Sequence, residues 1–184
     1  RALQDVATAI RLGCTVDDLG QPGYPPLCVR GQAGGQLATA LPIRVRGDVS
    51  SQFLTALLLA LPLVSGRGPV VVEVTGELIS KPYIDITLKL LARFGIDVQR
   101  EAWQRFTIPQ GSRYRTPGRV HVEGDASSAS YFVALGALAG IERPVRIEGV
   151  GAESIQGDIA FVGAAQAMGA DVVTGPNWIE VRRG

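Results

Sequence analysis

Two short segments group hydroxyl and amide side chains where helices are expected to begin. The first is Ser50-Ser51-Gln52, directly before a long apolar run, and the second is Ser80-Lys-Pro-Tyr83. A helix N-terminus presents unpaired amides and the positive end of the helix dipole, so added hydroxyls make a place for an anion such as phosphate. Gln52 adds two donors and an acceptor, and Tyr83 offers a flat ring with a hydroxyl, which suits a hydroxylated ring. The two segments therefore predict a site for a phosphorylated, hydroxyl-bearing small molecule.

The same residues also have a purely structural interpretation. Serine is a preferred N-cap, so Ser50-Ser51 and Ser80 would each cap the helix that follows, and Pro82 suits a first helical turn. Asp48 would favour the positive end of the helix dipole. The sequence alone leaves capping and anion binding open.

A second Gly-Asp-x-Ser-Ser, at residues 124–128, repeats the pattern of residues 47–51. It also precedes an apolar run, but Ala129 stands where the first copy has Gln52. The two copies are expected to share the cap and to differ in the extra polar group. The first copy is therefore the candidate site, and the serines of the second, Ser127 and Ser128, are predicted to be structural.

The elements that would position these residues form a repeat. Each copy reads as β-α-β-α-β-β, and self-similarity at this length indicates a repeat architecture. The first copy is predicted as 43–46, 50–64, 70–74, 81–94, 97–102 and 104–108. The second is predicted as 120–122, 127–139, 145–148, 157–168, 171–173 and 178–181. A glycine after a helical pattern, followed by a strand, recurs at Gly13, Gly95 and Gly169.

The first residues and the first helix of the repeat carry further expectations. Leu3, Val6 and Ile10 fall on one face of a helix that ends at Gly13, so the sequence opens part-way through a unit and is predicted to be a fragment of a longer protein. Residues 53–61 offer almost no polar face, which predicts a helix buried all round.

Composition excludes several classes of function. The net charge is +1, aromatic residues make up 6% and no basic run occurs, so the footprint of a nucleic-acid binder is missing. Cys14, Cys28 and the lone His121 fit no metal site, and no apolar segment is long enough to span a bilayer. These features predict a cytoplasmic α/β protein that acts on small molecules, without metal, membrane or nucleic acid.

Three segments together resemble the enolpyruvyl transferase family, and within it the branch that acts on shikimate 3-phosphate. They are Ser50-Ser51-Gln52-Phe-Leu-Thr-Ala-Leu-Leu58, Ser80-Lys-Pro-Tyr-Ile-Asp-Ile-Thr87 and Glu123-Gly-Asp-Ala-Ser-Ser-Ala-Ser-Tyr-Phe132. The resemblance covers essentially all 184 residues, including Tyr24-Pro-Pro-Leu27 and Ser154-Ile-Gln-Gly-Asp158. It implies transfer of the enolpyruvyl group of phosphoenolpyruvate to the 5-hydroxyl of shikimate 3-phosphate, in chorismate and aromatic amino acid biosynthesis, with no cofactor.

The resemblance also implies a fold and a site. The family fold is an inside-out barrel of β-α-β-α-β-β units with buried helices, here incomplete. Residues 1–120 would be part of a first domain, and residues 121–184 the first unit of a second. Ser50, Ser51 and Ser80 match residues that hold the phosphate, Gln52 matches one that reaches both substrates, and Tyr83 matches one that lies against the shikimate ring.

Departures from the family pattern bear on activity. The Lys-Ser motif, the Asn-Ala-Gly-Thr segment, the catalytic aspartate and the cations that hold phosphoenolpyruvate have no counterparts here, so no catalytic residue is predicted and the fragment is expected to be inactive without the rest of the parent enzyme. Two alternatives stay open. One is a relative that acts on UDP-N-acetylglucosamine, although neither cysteine lies in a glycine-rich loop. The other is a non-catalytic α/β repeat.

Overall fold

A computed structural model of the chain describes residues 8–9, 11–22, 24–31 and 37–184. The chain divides into two compact units, residues 1–117 and 118–184, and each has its own hydrophobic core. The N-terminal helix predicted through Leu3, Val6 and Ile10 lies outside the described residues.

Unit 1 contains the predicted β-α-β-α-β-β succession, preceded by a strand pair. The pair is β1 (Thr15–Asp18) and β2 (Leu27–Arg30), which run antiparallel. The succession is β3 Ile43–Arg46, α1 Ser51–Ala60, a 3-10 helix Leu61–Arg67, β4 Val70–Thr75, α2 Lys81–Arg93, β5 Gln99–Glu101 and β6 Arg105–Ile108. These strands form a sheet of order β3-β4-β6-β5, in which β3 and β4 are parallel and the other pairs antiparallel. The predicted unit is confirmed.

The spacing of apolar residues explains these elements. In β3 the two aliphatic side chains are buried and the two arginines are exposed, the period of two that a half-buried strand requires. In α2 the buried residues are Ile84, Thr87 and Leu91, which share one helical face. The core of the unit consists of Leu12, Ile43, Val45, Leu54, Leu58, Leu61, Val70, Val72, Val74, Leu78, Ile84, Leu91, Ile96, Phe106 and Ile108.

The first helix of the unit is shorter than predicted. α1 ends at Ala60, and the chain continues to Arg67 as a 3-10 helix. Pro62 accounts for the change, because it has no amide hydrogen for the α-helical ladder and its ring crowds the preceding turn.

The burial of α1 also differs from the prediction. Leu54 and Leu58 are 1% and 0% exposed, but Leu59 is 39% exposed. Within unit 1 the helix enters the core through one face and packs beside α2, and its other face is uncovered. The lack of a polar face therefore does not by itself make α1 buried on all sides within unit 1.

Unit 2 packs one long helix on a small antiparallel sheet. Its elements are α3 Ala126–Ala139, β7 Val145–Glu148, a 3-10 turn Gly157–Ala160, α4 Phe161–Ala167, β8 Asp171–Gly175 and β9 Trp178–Arg182. The sheet order is β7-β9-β8. The core contains Ala126, Ala129, Val133, Val150, Val162, Ala165, Val172, Ile179 and Val181.

The strand predicted at residues 120–122 is wrong. These residues are not in a strand, and Val122 is 94% exposed. A backbone hydrogen bond from the Gly124 amide to the Gly149 carbonyl, 2.7 Å, tethers the end of this segment. A strand of only three residues, 120–122, offers too few ladder bonds to offset the entropy of ordering it.

The glycines predicted to end helices behave as expected. Gly13, Gly95 and Gly169 have φ of +94°, +79° and +99°. Side chains other than that of glycine are strained in this region, so Gly95 and Gly169 follow the ends of α2 and α4 at low cost.

Gly136 allows α3 to approach β9 closely, and this contact gives a stability prediction. A Cβ at Gly136 would lie 2.7 Å from the Val181 Cβ and 2.8 Å from its carbonyl oxygen. Gly136→Ala is therefore expected to destabilise unit 2 by about 1–2 kcal/mol, because overpacking outweighs the gain in helix propensity. The measurement is urea unfolding followed by Trp178 fluorescence, with Trp103 replaced by Phe.

Gly163→Ala is the matched control within the same unit. Gly163 lies in α4, and a Cβ there meets nothing within 4 Å. This variant should be stabilised by up to about 1 kcal/mol, because alanine favours the helix. Equal stabilisation by both substitutions would contradict the close packing of α3 on β9.

Candidate functional site

The predicted site segments lie side by side at one edge of the unit 1 sheet. Because β3 and β4 are parallel, their carboxyl ends meet at the same edge, where α1 and α2 begin. The Gly47 amide donates to the Thr75 carbonyl at 2.9 Å, and the Ile79 amide donates to the Gly47 carbonyl at 3.1 Å. We call residues 47–52 and 76–83 together the serine edge.

Gly47 makes this close approach possible. A Cβ on Gly47 would lie 2.6 Å from Val74 Cγ1, 2.9 Å from the Leu78 Cα and 3.1 Å from the Glu77 carbonyl oxygen. Two of these three contacts are to backbone, which cannot move aside as a flexible side chain can. The serine edge therefore requires glycine at this position.

Ser50 is the N-cap of α1, as the structural interpretation predicts. Its φ and ψ are −168° and 138°, and its Oγ accepts a hydrogen bond from the Gln52 amide at 3.2 Å. No other described side chain accepts a first-turn amide of α1. The Ser50 hydroxyl still has its own hydrogen to donate, so capping and anion binding are compatible at this residue.

Ser51 is buried without a partner for its hydroxyl. The residue is 7% exposed, and no described residue forms a hydrogen bond with its Oγ. An unsatisfied buried polar group costs about 1–3 kcal/mol. Such a group next to a helix N-terminus is the feature expected where a ligand supplies the missing hydrogen bond.

Ser80 occupies the N-cap position of α2 but does not cap the helix, so the capping prediction is wrong at this residue. Its φ and ψ are 55° and 41°, and its side chain accepts no amide of the first turn. An N-cap side chain reaches those amides from extended backbone, not from the left-handed region. Residues other than glycine in that region cost of order 1–3 kcal/mol and concentrate at functional sites.

Gln52 and Tyr83 complete the predicted set on the first turns of the two helices. Both are exposed, Tyr83 at 58%, and their polar side-chain atoms have no hydrogen-bond partner among the described residues. The Thr87 hydroxyl donates to the Tyr83 carbonyl at 2.9 Å and lies 3.1 Å from the Thr55 hydroxyl. The contact between the two threonines joins α1 to α2 one turn beyond the predicted ligand residues.

The charges at the serine edge are arranged in pairs. Arg46 Nε and Nη2 donate to the Asp48 carboxylate at 3.0 and 2.7 Å, and Lys81 Nζ lies 3.7 Å from Glu77. The hydrogen bond from Arg46 lowers the pKa of the Asp48 carboxyl below its ordinary value. Asp48 is thus ionised and faces a cation rather than the helix N-terminus. The prediction that Asp48 lies at the positive end of the helix dipole is therefore wrong, and the signal in the sequence that indicates the pair is an arginine two residues before an aspartate at the end of a strand.

The second Gly-Asp-x-Ser-Ser is built differently, so the prediction that both copies share one cap is wrong. Asp125 caps α3, accepting from the Ser127 amide at 3.1 Å and the Ser128 amide at 3.3 Å. The Ala126 amide donates to Gln156 Oε1 at 2.9 Å. The Ser128 hydroxyl donates to the Asp125 carboxylate at 2.5 Å, and the Ser127 hydroxyl donates to the Asp158 carboxylate. Side chains of unit 2, Asp125 and Gln156, therefore accept the first-turn amides of α3.

Other kinds of site are missing from the described parts of the chain. No group of three or more His, Cys, Asp or Glu side chains there could hold a metal ion. No helix in those parts has the length and apolar character to cross a membrane. Cys14 and Cys28 are half-buried free thiols.

Comparison with known proteins identifies the family. The family model described as EPSP synthase (3-phosphoshikimate 1-carboxyvinyltransferase) matches residues 1–184. Curated 3-phosphoshikimate 1-carboxyvinyltransferases of Ralstonia nicotianae and Burkholderia multivorans are each 58% identical over 184 residues, covering 99% of this chain. The chain spans 41% of the length of each of these two relatives.

Solved structures show the same fold. An EPSP synthase of Acinetobacter baumannii superposes with a TM-score of 0.66 at 23% identity, covering 98% of this chain and 39% of that protein. The enolpyruvyl transferase NikO of Streptomyces tendae gives 0.58 at 15% identity, covering 98% and 42%. The predicted fold class of repeated α/β units is confirmed. From the match along its whole length, the chain belongs to the EPSP synthase (3-phosphoshikimate 1-carboxyvinyltransferase) family.

Proposed function

We propose that the serine edge binds the phosphate and ring of shikimate 3-phosphate, and that this chain is part of a 3-phosphoshikimate 1-carboxyvinyltransferase. The observation that carries the proposal is the buried, unpartnered hydroxyl of Ser51 at the start of α1. The strained Ser80 on the adjoining segment supports it, because its hydroxyl is also not used for capping. In a chain of this family, we expect the phosphate of the ligand to accept hydrogen bonds from both serine hydroxyls.

The phosphate is held by hydroxyls, amides and the dipole of α1. The Ser50, Ser51 and Ser80 hydroxyls donate to its oxygens, and the free amides of the first turn of α1 add further donors. Gln52, which is exposed beside them, reaches both substrates. Tyr83 lies against the shikimate ring, with its flat face on carbon and its hydroxyl toward polar groups.

The reaction is that of the whole protein. The bond between the enolpyruvyl carbon of phosphoenolpyruvate and its phosphate oxygen breaks, and that carbon bonds to the 5-hydroxyl oxygen of shikimate 3-phosphate. Inorganic phosphate leaves and carries the proton that the hydroxyl loses. This chain contributes no charged catalytic group, needs no metal or organic cofactor for its part, and does not turn over alone. We place the reaction in the cytoplasm, with residues up to about 120 in the first domain and the rest in the second.

Calorimetric titration tests the binding proposal. The chain is titrated with shikimate 3-phosphate, shikimate, inorganic phosphate and UDP-N-acetylglucosamine. Shikimate 3-phosphate should bind more tightly than shikimate or phosphate alone, since it engages both parts of the serine edge. Preference for UDP-N-acetylglucosamine would support the alternative branch of the family, and binding of none would favour a non-catalytic repeat.

Transfer itself is tested in a polypeptide of the relatives' full length that carries this chain. Phosphate release from phosphoenolpyruvate should require shikimate 3-phosphate. Release that is equally fast without shikimate 3-phosphate would contradict the proposed reaction. Gln52→Ala in that polypeptide should raise the KM for both substrates, whereas an effect on neither would remove Gln52 from the site.

Ser80 gives a prediction in which stability and binding change in opposite directions. Ser80→Gly should stabilise unit 1 by about 1 kcal/mol, because glycine adopts the left-handed region without strain. It should at the same time weaken shikimate 3-phosphate binding by about tenfold, since a charge-assisted hydrogen bond is lost. Urea unfolding and calorimetry measure the two effects.

Ser80→Ala is the control that separates the two causes. It removes the hydroxyl but keeps the strain, so it should weaken binding as much as glycine does without any gain in stability. Unchanged affinity in both variants would mean that Ser80 has no part in the site.

A further inference from the structure

Arg46 and Asp48 form the closest charge pair at the serine edge among the described residues. Arg46 ends β3, and its guanidinium holds both carboxylate oxygens of Asp48 in a two-pronged contact of 3.0 and 2.7 Å. Two parallel hydrogen bonds of this kind fix orientation as well as supplying energy. Both side chains are largely exposed, at 62% and 45%. The pair therefore adds little to stability, and its geometry is the feature to explain.

The second copy has an aspartate at the same place in the motif but no arginine before it. There the residue before Gly-Asp-x-Ser-Ser is Glu123 instead of Arg46. Asp125, the counterpart of Asp48, turns into its own helix and accepts from the two serine amides. α3 accordingly begins at Ala126, two positions earlier in the motif than α1, which begins at Ser51.

The N-termini of α1 and α3 therefore differ in the group that accepts their first-turn amides. In the second copy, a carboxylate of the chain itself fills the place where an anion would bind. In the first copy, the Ser50 hydroxyl accepts from the Gln52 amide, and no carboxylate among the described residues accepts a first-turn amide of α1. The carboxylate of Asp48 is held on Arg46 instead.

We propose that Arg46 is a positioning residue that holds Asp48 away from the N-terminus of α1 and so keeps that N-terminus open for the phosphate of the ligand. The inference rests on the proposed function of the serine edge and adds the residue that separates the binding copy from the structural copy. Without Arg46, Asp48 would compete for the serine amides and would place a negative charge beside a phosphate. Pairing with the guanidinium removes both effects.

The charge balance around Asp48 agrees with this role. Gly76 lies beside it, since a Cβ there would be 3.7 Å from the carboxyl carbon, so Asp48 stands between the two segments of the serine edge. A phosphate carries close to two negative charges at neutral pH and would be repelled by an unpaired carboxylate at this place. An arginine two residues before the aspartate removes this repulsion without contacting the ligand.

The test uses this chain, shikimate 3-phosphate and inorganic phosphate, and four proteins. Arg46→Met should weaken shikimate 3-phosphate binding by about tenfold, the loss expected when a helix-terminal anion site is contested. The double variant Arg46→Met/Asp48→Ala removes the competitor and should restore affinity to within about twofold of the unmodified chain. Arg44→Met is the matched control, because Arg44 lies on the same strand and pairs with Glu73 at 3.5 Å. It removes the same charge and should change affinity by less than about twofold.

The outcomes separate this inference from the proposed function. If the unmodified chain binds shikimate 3-phosphate and Arg46→Met binds as tightly, the inference is wrong and the proposed function stands. If the double variant stays as weak as Arg46→Met, Arg46 contacts the ligand itself and the positioning role is wrong. If the unmodified chain does not bind, the proposed site falls. The amide proton shifts of Ser50 and Ser51, measured without ligand, then test whether Asp48 caps α1 when Arg46 is absent. If it does, these two shifts should move downfield in Arg46→Met and not in the other three proteins.

Discussion

Ser51→Ala is expected to weaken the binding of shikimate 3-phosphate by about 1.5–3 kcal/mol, the value of a hydrogen bond to a charged group. The same change should leave unit 1 as stable as before or make it more stable, because the hydroxyl it removes is buried without a partner among the described residues. Loss of affinity with a gain in stability is the signature of a group kept for a ligand. Calorimetry and urea unfolding measure the two quantities.

Ser128→Ala is the matched control, since Ser128 occupies the same place in the second motif. Its hydroxyl is bonded to Asp125 at 2.5 Å, so its removal should cost stability in unit 2 and leave affinity unchanged. Loss of affinity in both variants would contradict the assignment of binding to the first copy. Loss of stability in Ser51→Ala with unchanged affinity would show that Ser51 is structural.

Gly47→Ala is expected to have a large effect on both stability and binding. A Cβ at this position would lie 2.9 Å from the Leu78 Cα and 3.1 Å from the Glu77 carbonyl oxygen, so the two segments of the serine edge must separate. Overpacking of this kind should destabilise unit 1 by about 3 kcal/mol. Binding of shikimate 3-phosphate should weaken by more than about tenfold, because Ser80 no longer reaches the ligand held at Ser51. Unfolding is followed by Trp103 fluorescence, with Trp178 replaced by Phe, and binding by calorimetry.

Gly66→Ala shows whether the effect is specific to the contact. Gly66 lies in the 3-10 helix of the same unit, and a Cβ there meets nothing within 4 Å. This variant should unfold within about 0.5 kcal/mol of the unmodified chain and bind normally. If Gly47→Ala is as stable as Gly66→Ala but does not bind, Gly47 acts on the ligand rather than on packing.

The fold was predictable where local pattern and tertiary packing agree. The alternation in β3, the apolar face of α2 and the glycines that follow α2 and α4 are local signals, and the structure follows them. Residues 120–122 show the limit of local pattern, since two valines on either side of a histidine form a strand only if another strand pairs with them. The exposed face of α1 shows another, because composition predicts that a side chain is apolar but not what covers it.

The candidate site was predictable in its residue types but not in its geometry. The sequence places Ser50, Ser51 and Ser80 at helix starts, and the parallel pairing of β3 and β4 brings those starts together. It cannot show that Ser80 adopts a left-handed conformation, because that depends on the turn closed around Gly47. The two motifs have different caps and different preceding residues, arginine in the first and glutamate in the second, and a comparison limited to the motif does not include that residue.

Amide chemical-shift mapping of this chain with shikimate 3-phosphate, with inorganic phosphate as a control, is the decisive measurement for the serine edge. We expect the amides of residues 50–52 and of residues 80, 81 and 83 to shift together at one saturable site, while those of Ser127 and Ser128 do not change; Pro82 has no amide hydrogen. Shifts at Ser127 and Ser128 alone, or no shifts in a folded sample at saturating ligand, would contradict the assignment of shikimate 3-phosphate to the serine edge.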